Sequence, residues 1–291
     1  MKKRVEYAMN CYLCDSENIM FVDGRVRDKH HLKPLRCENC GLVFLNKTDH
    51  IDHDYYKETY TEEQFSNMSL EMYLNEYYQD NKRQADKILP LITNCSYLDV
   101  GCGAGGVLRL VREHCSAACG VELQTKWREE LIQQGFIVFD QLSKVKDQSV
   151  DVASVFHVLG HVHCPVEFLR EIKSKIKPNG KLIIEIPNAN DALLLLYDCK
   201  AFSSFIYLSP HLFIFNPSTL ELLFKKAGFK QWTIQQVQRY PLSNHLMWLV
   251  KGKPGGHQQW SFIDTSRLQE AYESSLAALG CCDTLFATIF L

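Results

Sequence analysis

The sequence predicts an α/β fold: a Rossmann-like, open, doubly wound and mostly parallel sheet, preceded by a small cysteine ribbon and a helical connector. Three observations carry it. From residue 96 onward, strand-length apolar runs alternate with helix-length amphipathic ones; the first run, "SYLDV", breaks into the glycines of "GCGAGG"; and two C-x-x-C knuckles, "CYLC" and "CENC", stand ahead of the alternation. Strand alternating with helix implies crossover connections, hence parallel strands covered on both faces.

The knuckles come first. Cys11 and Cys14 are separated from Cys37 and Cys40 by 22 residues, enough for a β-hairpin. Four thiolates gathered in this way satisfy a tetrahedral zinc, and a closed four-cysteine site leaves no open position for catalysis. Residues 1–47 are therefore read as a zinc ribbon with a folding or docking role, and His30 and His31 as weaker candidate ligands. Residues 48–93 read as a helical connector roofing the main domain, with Leu70, Tyr73, Leu74, Tyr77 and Tyr78 near one helix face.

The main domain is read as residues 94–252. Its strands are "SYLDV", "SAACGVEL", "GFIVF", "VDVASVFHV" and, after a Pro178-Asn179-Gly180 turn, "GKLIIEIP". Its helices are "GVLRLVREHC", "TKWREELIQQ" and "CPVEFLREIKSKIK", the last with Pro165 in its first turn. An insert, residues 188–216, covers the substrate. A helix follows, "NPSTLELLFKKAGF", started by Ser218 or Thr219 and stopped by Gly228. Two strand-like runs, "KQWTIQQVQRY" and "NHLMWLVKG", then end the sheet as a hairpin-like pair, leaving 253–291 as a helical tail.

Composition narrows the function. Of 291 residues 46% are apolar, enough for one large domain plus an appendage. Lys plus Arg (32) nearly balances Asp plus Glu (34), so a formal charge of -2 gives no whole-chain case for binding nucleic acid or an anionic membrane. No apolar run approaches the roughly 20 residues that span a bilayer, and the basic start leads into no signal-like segment. The expected location is cytoplasmic. There the 12 cysteines are reduced thiols or metal ligands, and scattered ones such as Cys95, Cys115 and Cys164 read as buried small hydrophobes.

In an open parallel sheet the ligand lies beyond the carboxyl ends of the strands. That brings together the loop Gly101, Cys102 and Gly103, the pair Glu122 and Leu123, the run Asp140, Gln141 and Leu142, and the strand end Phe156 and His157. Gly101, Gly103 and Gly106 spell the G-x-G-x-x-G of a dinucleotide site, with Glu122 near the expected acid. Asp99 speaks against that use, because a carboxylate two residues before the first glycine is badly placed beside a pyrophosphate. It suits a ligand with a cationic amino group and no phosphate, such as S-adenosylmethionine. Glu122 can accept from ribose hydroxyls in either case.

Here the sequence resembles a known family. "YLDVGCGAGG", the acid in "GVEL", "SVDVASVFHVLGHVHCPVEFLREIKSKIKPNGKLIIEIPN" and "PHLFIFNPSTLELLFKKAGF" are similar to successive motifs of the class I S-adenosylmethionine-dependent methyltransferases. With the knuckles they resemble a bacterial subgroup that carries an amino-terminal zinc ribbon and is often associated with methylating sugars or other small metabolites. The resemblance spans about residues 10–250 and implies seven strands, the last antiparallel. It also implies that Asp99, Gly101 and Gly103 serve the methionine end and Glu122 the ribose, with S-adenosylhomocysteine as product. Two departures stand out. Similar proteins read H-V-L-E-H where this chain has "HVLGH", so Gly160 removes a carboxylate; and Gln141 stands where an acid is frequent, Asp140 being one residue earlier.

Methyl transfer to a hydroxyl needs alignment and a general base, usually histidine. His157 ends the fourth strand, His161 lies four residues on, and His211 lies in the insert. Each also reads as a hydrogen-bonded histidine that shapes its loop, and His157 as a backbone contact to the cofactor. His245, Trp248, His257 and Trp260 read as pocket lining or as core and turn. The expected activity is methylation of a small-molecule acceptor, a hydroxyl of a sugar or sugar-like intermediate. The alternatives are an RNA methyltransferase docking through the ribbon, a nicotinamide-dependent oxidoreductase and a catalytically silent binding protein. Nothing in the sequence fixes the oligomeric state.

Overall fold

The computed structural model describes residues 9–52, 54–59 and 68–291. The amino-terminal residues 1–8 and much of the acidic, aromatic stretch of the connector, 60–67, lie outside them. Two sheets organise the chain. The smaller has four strands in the order β1 (Ile19–Phe21), β2 (Pro34–Cys37), β3 (Val43–Leu45) and β9 (Phe213–Ile214), all antiparallel. The ribbon supplies three of these and the insert the fourth.

The larger sheet is the predicted one. It contains β4 (Ser96–Val100), β5 (Ala117–Val121), β6 (Ile137–Phe139), β7 (Val150–Phe156), β8 (Ile176–Pro187), β10 (Gln231–Val237) and β11 (Thr284–Phe290), in the order β10-β11-β8-β7-β4-β5-β6. Strands β4 to β8 pair in parallel, whereas β11 is antiparallel to both β8 and β10. The central runs "LDV", "VASV" and "LIIEI" are buried along nearly their whole length, which is why they read as continuous apolar strands. Chain order reverses between β4 and β7, and the crevice beyond their carboxyl ends is where such sheets bind ligands.

The connector supplies α1 (Leu70–Glu76) and α2 (Tyr78–Ile92). The crossovers are α3 (Gly106–Val111), α4 (Thr125–Gln133) and α5 (Pro165–Lys175). The insert forms α6 (Ala192–Leu195) and α7 (Lys200–Ser203), after which comes α8 (Pro217–Lys226). Beyond β10 lie α9 (Leu242–Lys251), α10 (Gly256–Gln259) and α11 (Ser266–Ala278).

Several expectations change. "NHLMWLVKG" is no strand but α9, with Ser243, Asn244, His245, Met247 and Trp248 buried, and Gly252 ending it at φ 65°. Its place in the sheet is taken by the terminal "TLFATIF", which is β11. The tail 253–291 therefore does more than form helices. The Pro178-Asn179-Gly180 turn lies inside β8, as a bulge between the pairs Val150 with Ile176 and Val152 with Lys181; Asn179 accommodates it at φ 65°. The cap of α8 is Asn216, whose side chain takes the Thr219 N–H while Thr219 Oγ1 takes the Asn216 N–H. Tyr78 falls off the connector's packed face and is 47% exposed, Cys164 is exposed, and Cys95 and Cys115 are half-buried.

The ribbon is not a separate body. Leu35, Leu42 and Phe44 belong to one continuous core with Leu98, Val155, Ile184 and Leu285 of the large sheet. The insert threads between them: β9 pairs with β3 through Val43 with Ile214 and Phe44 with Phe213. In doing so it crosses Gly160, where an added Cβ would lie 2.6 Å from the Phe213 carbonyl oxygen. The carboxylate that similar proteins carry at this point has no room here.

Two outcomes follow from this architecture. Deleting residues 283–291 removes a strand paired on both edges, and the truncated chain is expected to be insoluble or to lose its cooperative thermal transition. Gly160→Ala, and Gly160→Glu no less, is expected to cost about 1–3 kcal/mol through overpacking against a backbone oxygen, read as a lowered Tm by circular dichroism.

Candidate functional site

The glycine loop follows β4 directly. Gly101, Gly103 and Gly105 all have positive φ (76°, 54° and 77°), and the N–H groups of Gly101 and Cys102 are tied to the Val121 carbonyl at 2.8 and 3.1 Å. A Cβ at Gly101 would meet the Val158 side chain at 2.3 Å, so the loop after β7 packs on the glycine turn. From the connector, the Tyr73 hydroxyl lies 3.2 Å from where a Cβ on Gly103 would be.

Two buried carboxylates flank this loop. Glu122 accepts the N–H of Gly103 at 2.6 Å and of Gln124 at 2.7 Å, which uses two of its roughly four acceptor positions. Asp99 accepts from Ser154 Oγ at 2.8 Å, and the Ser154 hydroxyl also meets Tyr97 at 2.6 Å. Burial pushes the Asp99 carboxyl up to about 7, Ser154 opposes this, and Glu122 adds to it. Glu122 is raised by burial too, against its backbone donors. Two carboxylates held out of water this close together favour an incoming cation.

The other sequence-predicted contacts meet at the same edge. Leu123 is exposed, Leu142 is buried and Phe156 is half-buried; Gln141 is exposed, and Asp140 pairs with Lys144 at 2.8 Å.

Beyond β7 the histidines converge. His157 adopts φ 56°, its N–H bonding the Glu185 carbonyl at 2.8 Å, and a short 3-10 turn, Leu159–His161, follows. His157, His161, His211, Gly160 and Phe213 line a cavity with room for about one water molecule. The His161 and His211 rings are 5.0 Å apart, and Tyr56 stacks on His161 at 6.0 Å. Burial, together with the neighbouring imidazoles, holds His161 well below the usual range and lowers His211 to about 4. Both rings are therefore neutral at pH 7. His245 is buried elsewhere, bonded to Gln238 and Tyr272, and Trp248 packs on Phe202 in a separate cluster.

One part of the site gave no motif. Glu185 on β8 is fully buried and receives Arg83 through two 2.7 Å bonds and Gln84 through a third. Arg83 also bonds Asp80 at 2.7 Å, and Asp80 pairs with Arg239. The only trace of this cluster in the sequence is an acid inside the apolar run "LIIEIP". Arg83 reads as an ordinary charge on a solvated helix face.

In the ribbon, Cys11, Cys14, Cys37 and Cys40 bring their sulfurs within 4.8 Å of one another, with Cys11 to Cys40 and Cys14 to Cys37 each 3.5 Å apart. A tetrahedral zinc with bonds of about 2.3 Å needs sulfurs about 3.8 Å apart, so the donor set and its spacing fit that ion. His30 and His31 are exposed and outside the group.

The chain matches, over residues 70–234, the family model described as a methyltransferase domain. No curated protein matches it. Among solved structures it is similar to a SAM-dependent methyltransferase from Archaeoglobus fulgidus, at 19% identity and TM-score 0.50 over 80% of this chain and 99% of that one. It is also similar to a SAM-dependent methyltransferase of Thermotoga maritima, described as a possible histamine N-methyltransferase, at 18% identity and TM-score 0.51 over 79% and 98%. A third is phosphoethanolamine N-methyltransferase 2 of Haemonchus contortus, at 14% identity and TM-score 0.52 over 85% and 62%. At such identities the likeness establishes the fold. Because the family model covers more than half of the sequence and falls on the glycine loop, the connector helices and the sheet, the chain belongs to the methyltransferase-domain family.

Proposed function

We propose that the protein is an S-adenosylmethionine-dependent methyltransferase acting on a hydroxyl of a small molecule, a sugar or sugar-like intermediate. The observation that carries the reading is the pairing of two environments across one strand end: buried carboxylates beside the glycine loop and neutral imidazoles beyond β7. S-adenosylmethionine supplies an electrophilic methyl carbon on a sulfonium, which leaves with its bonding pair as the thioether of S-adenosylhomocysteine. Asp99 answers the ammonium of its methionine end, with Gly101, Cys102 and Gly103 admitting the backbone closely. Glu122 keeps acceptor positions for the ribose hydroxyls. Leu123, Asp140, Gln141, Leu142 and Phe156 border the adenine.

On the acceptor side His157, His161 and His211 surround the cavity, and a neutral imidazole there takes the hydroxyl proton. The four cysteines hold a structural zinc, whose part is to fold the ribbon. A nicotinamide enzyme is disfavoured by Asp99 beside the loop that would have to hold a pyrophosphate. An RNA-docking use of the ribbon is disfavoured because one edge of its sheet is already taken by β9 and its core is continuous with the main domain. The near-neutral charge points the same way.

Calorimetric titration is the test of the cofactor. S-adenosylhomocysteine is expected to bind saturably and NADH not at all; the reverse result would return the glycines to a dinucleotide. Because the Asp99 carboxyl, raised to about 7, must be ionised to face an ammonium, affinity is expected to climb from pH 6 to 8. Well below pH 7 the loss approaches about tenfold per unit, and Asp99→Asn should bind weakly with that dependence gone. For the ribbon, elemental analysis should find one zinc per chain, and Cys40→Ser should release it and lower Tm.

A further inference from the structure

Glu185 is an expensive residue to place where it is. A fully buried carboxylate needs strong compensation, and three 2.7 Å bonds from Arg83 and Gln84 supply it. The charges of the cluster cancel without a further proton: Glu185 and Asp80 are negative, Arg83 and Arg239 positive. Burial would raise the Glu185 carboxyl, but the Arg83 and His157 contacts outweigh it and hold the group far below the usual carboxylate range. Glu185 is thus an anion, and His157 approaches the oxygen that Arg83 and Gln84 also share.

His157 Nε2 is buried and lies 3.1 Å from Glu185 Oε1, yet it forms no aligned hydrogen bond with any group among the described residues. Hydrogen bonds of this kind are often poorly aligned before a substrate is bound. Among the described residues Nδ1 has no hydrogen-bond partner, and the ring lines the histidine cavity. The contact calls for an imidazole that donates from Nε2 to Glu185.

We propose that Glu185 is a positioning residue: it fixes His157 in the tautomer with its proton on Nε2, leaving the Nδ1 lone pair to take the acceptor's hydroxyl proton. The inference rests on the hydroxyl-methylating reading above. In the step, the O–H bond breaks toward Nδ1, the oxygen gains the methyl carbon, and the sulfonium leaves as a neutral thioether. The resulting imidazolium is stabilised by Glu185 across the ring, as a carboxylate does for the histidine of a catalytic triad. Among the described residues no carboxylate forms a hydrogen bond or ion pair with His161 or His211, and burial makes them weak bases. They remain cavity walls, with Gly160 and Phe213 between them.

The test needs no acceptor. Long-range proton–nitrogen correlation spectra of the 15N-labelled, zinc-replete full chain report the tautomer of each histidine, with His157→Gln identifying the signal. The expected result is a His157 protonated on Nε2 at neutral pH. In Glu185→Leu the acceptor that faces Nε2 is removed, and the preference for the Nε2-protonated form is expected to be lost. Facing the ring are Glu185, His161 and His211, with Arg83 behind Glu185. A wild-type His157 protonated on Nδ1 overturns the proposal by itself, even if the variant does not fold. An unchanged tautomer preference in a folded Glu185→Leu overturns it too. S-adenosylhomocysteine binding, measured on the same wild-type sample, judges the methyl-transfer reading separately, since its loss leaves the tautomer result intact.

Discussion

The pairing of β9 with β3 is the contact on which the acceptor side of the site depends. The insert leaves the large sheet at Pro187, and two residues of it, Phe213 and Ile214, join the small one. That register sets the Phe213 carbonyl over Gly160 and places His211 against His161. The second knuckle leads directly into it, since Cys37 closes β2 and Cys40 is followed by Gly41 at φ 87° and then β3. Order at the cysteines therefore passes along β3 to β9 and so to the cavity wall. The four thiols lie outside the histidine cavity, and β3 with β9 is the segment that joins them to its wall.

Burial acts on the two sides of the cleft with opposite consequences. It favours whichever form of a group is neutral, so it lifts Asp99 and Glu122 and depresses His161 and His211. A carboxylate pushed toward neutrality gains most from an arriving cation, whereas the two depressed imidazoles stay uncharged walls beside His157, the proposed base. Glu185 escapes the rule because Arg83 reaches it with a bidentate fork, the geometry in which guanidinium and carboxylate match best.

Local pattern reveals much of this protein, and its failures have physical causes. The glycine turn, the knuckles and the alternating strands were legible because each is specified within about ten residues by backbone demands or by periodicity. "NHLMWLVK" and "TLFATIF" were not, because short apolar runs fit helix or strand alike and only the two-sided burial of the latter between β8 and β10 decides. Asn216 was overlooked as a cap beside Ser218 and Thr219, although Asn before Pro is a good start signal. The histidines could be placed at the strand end, yet Arg83 and Glu185 are 102 positions apart and share no motif. Gly160 likewise looked like the loss of a carboxylate until the insert's path gave it a steric reason.

The connector unites the two halves of the site. Tyr73 stands over Gly103, Asn81 fills the space beside Gly106, and Arg83 and Gln84 clamp Glu185 behind His157. One pair of helices thus touches the loop proposed for the methyl donor and the carboxylate proposed to orient the base. Moving α2 away from β8 would break a buried ion pair, which costs several kcal/mol, about 3–5, when one partner is lost. The elements proposed to cover the donor thus also hold the carboxylate proposed to align the base.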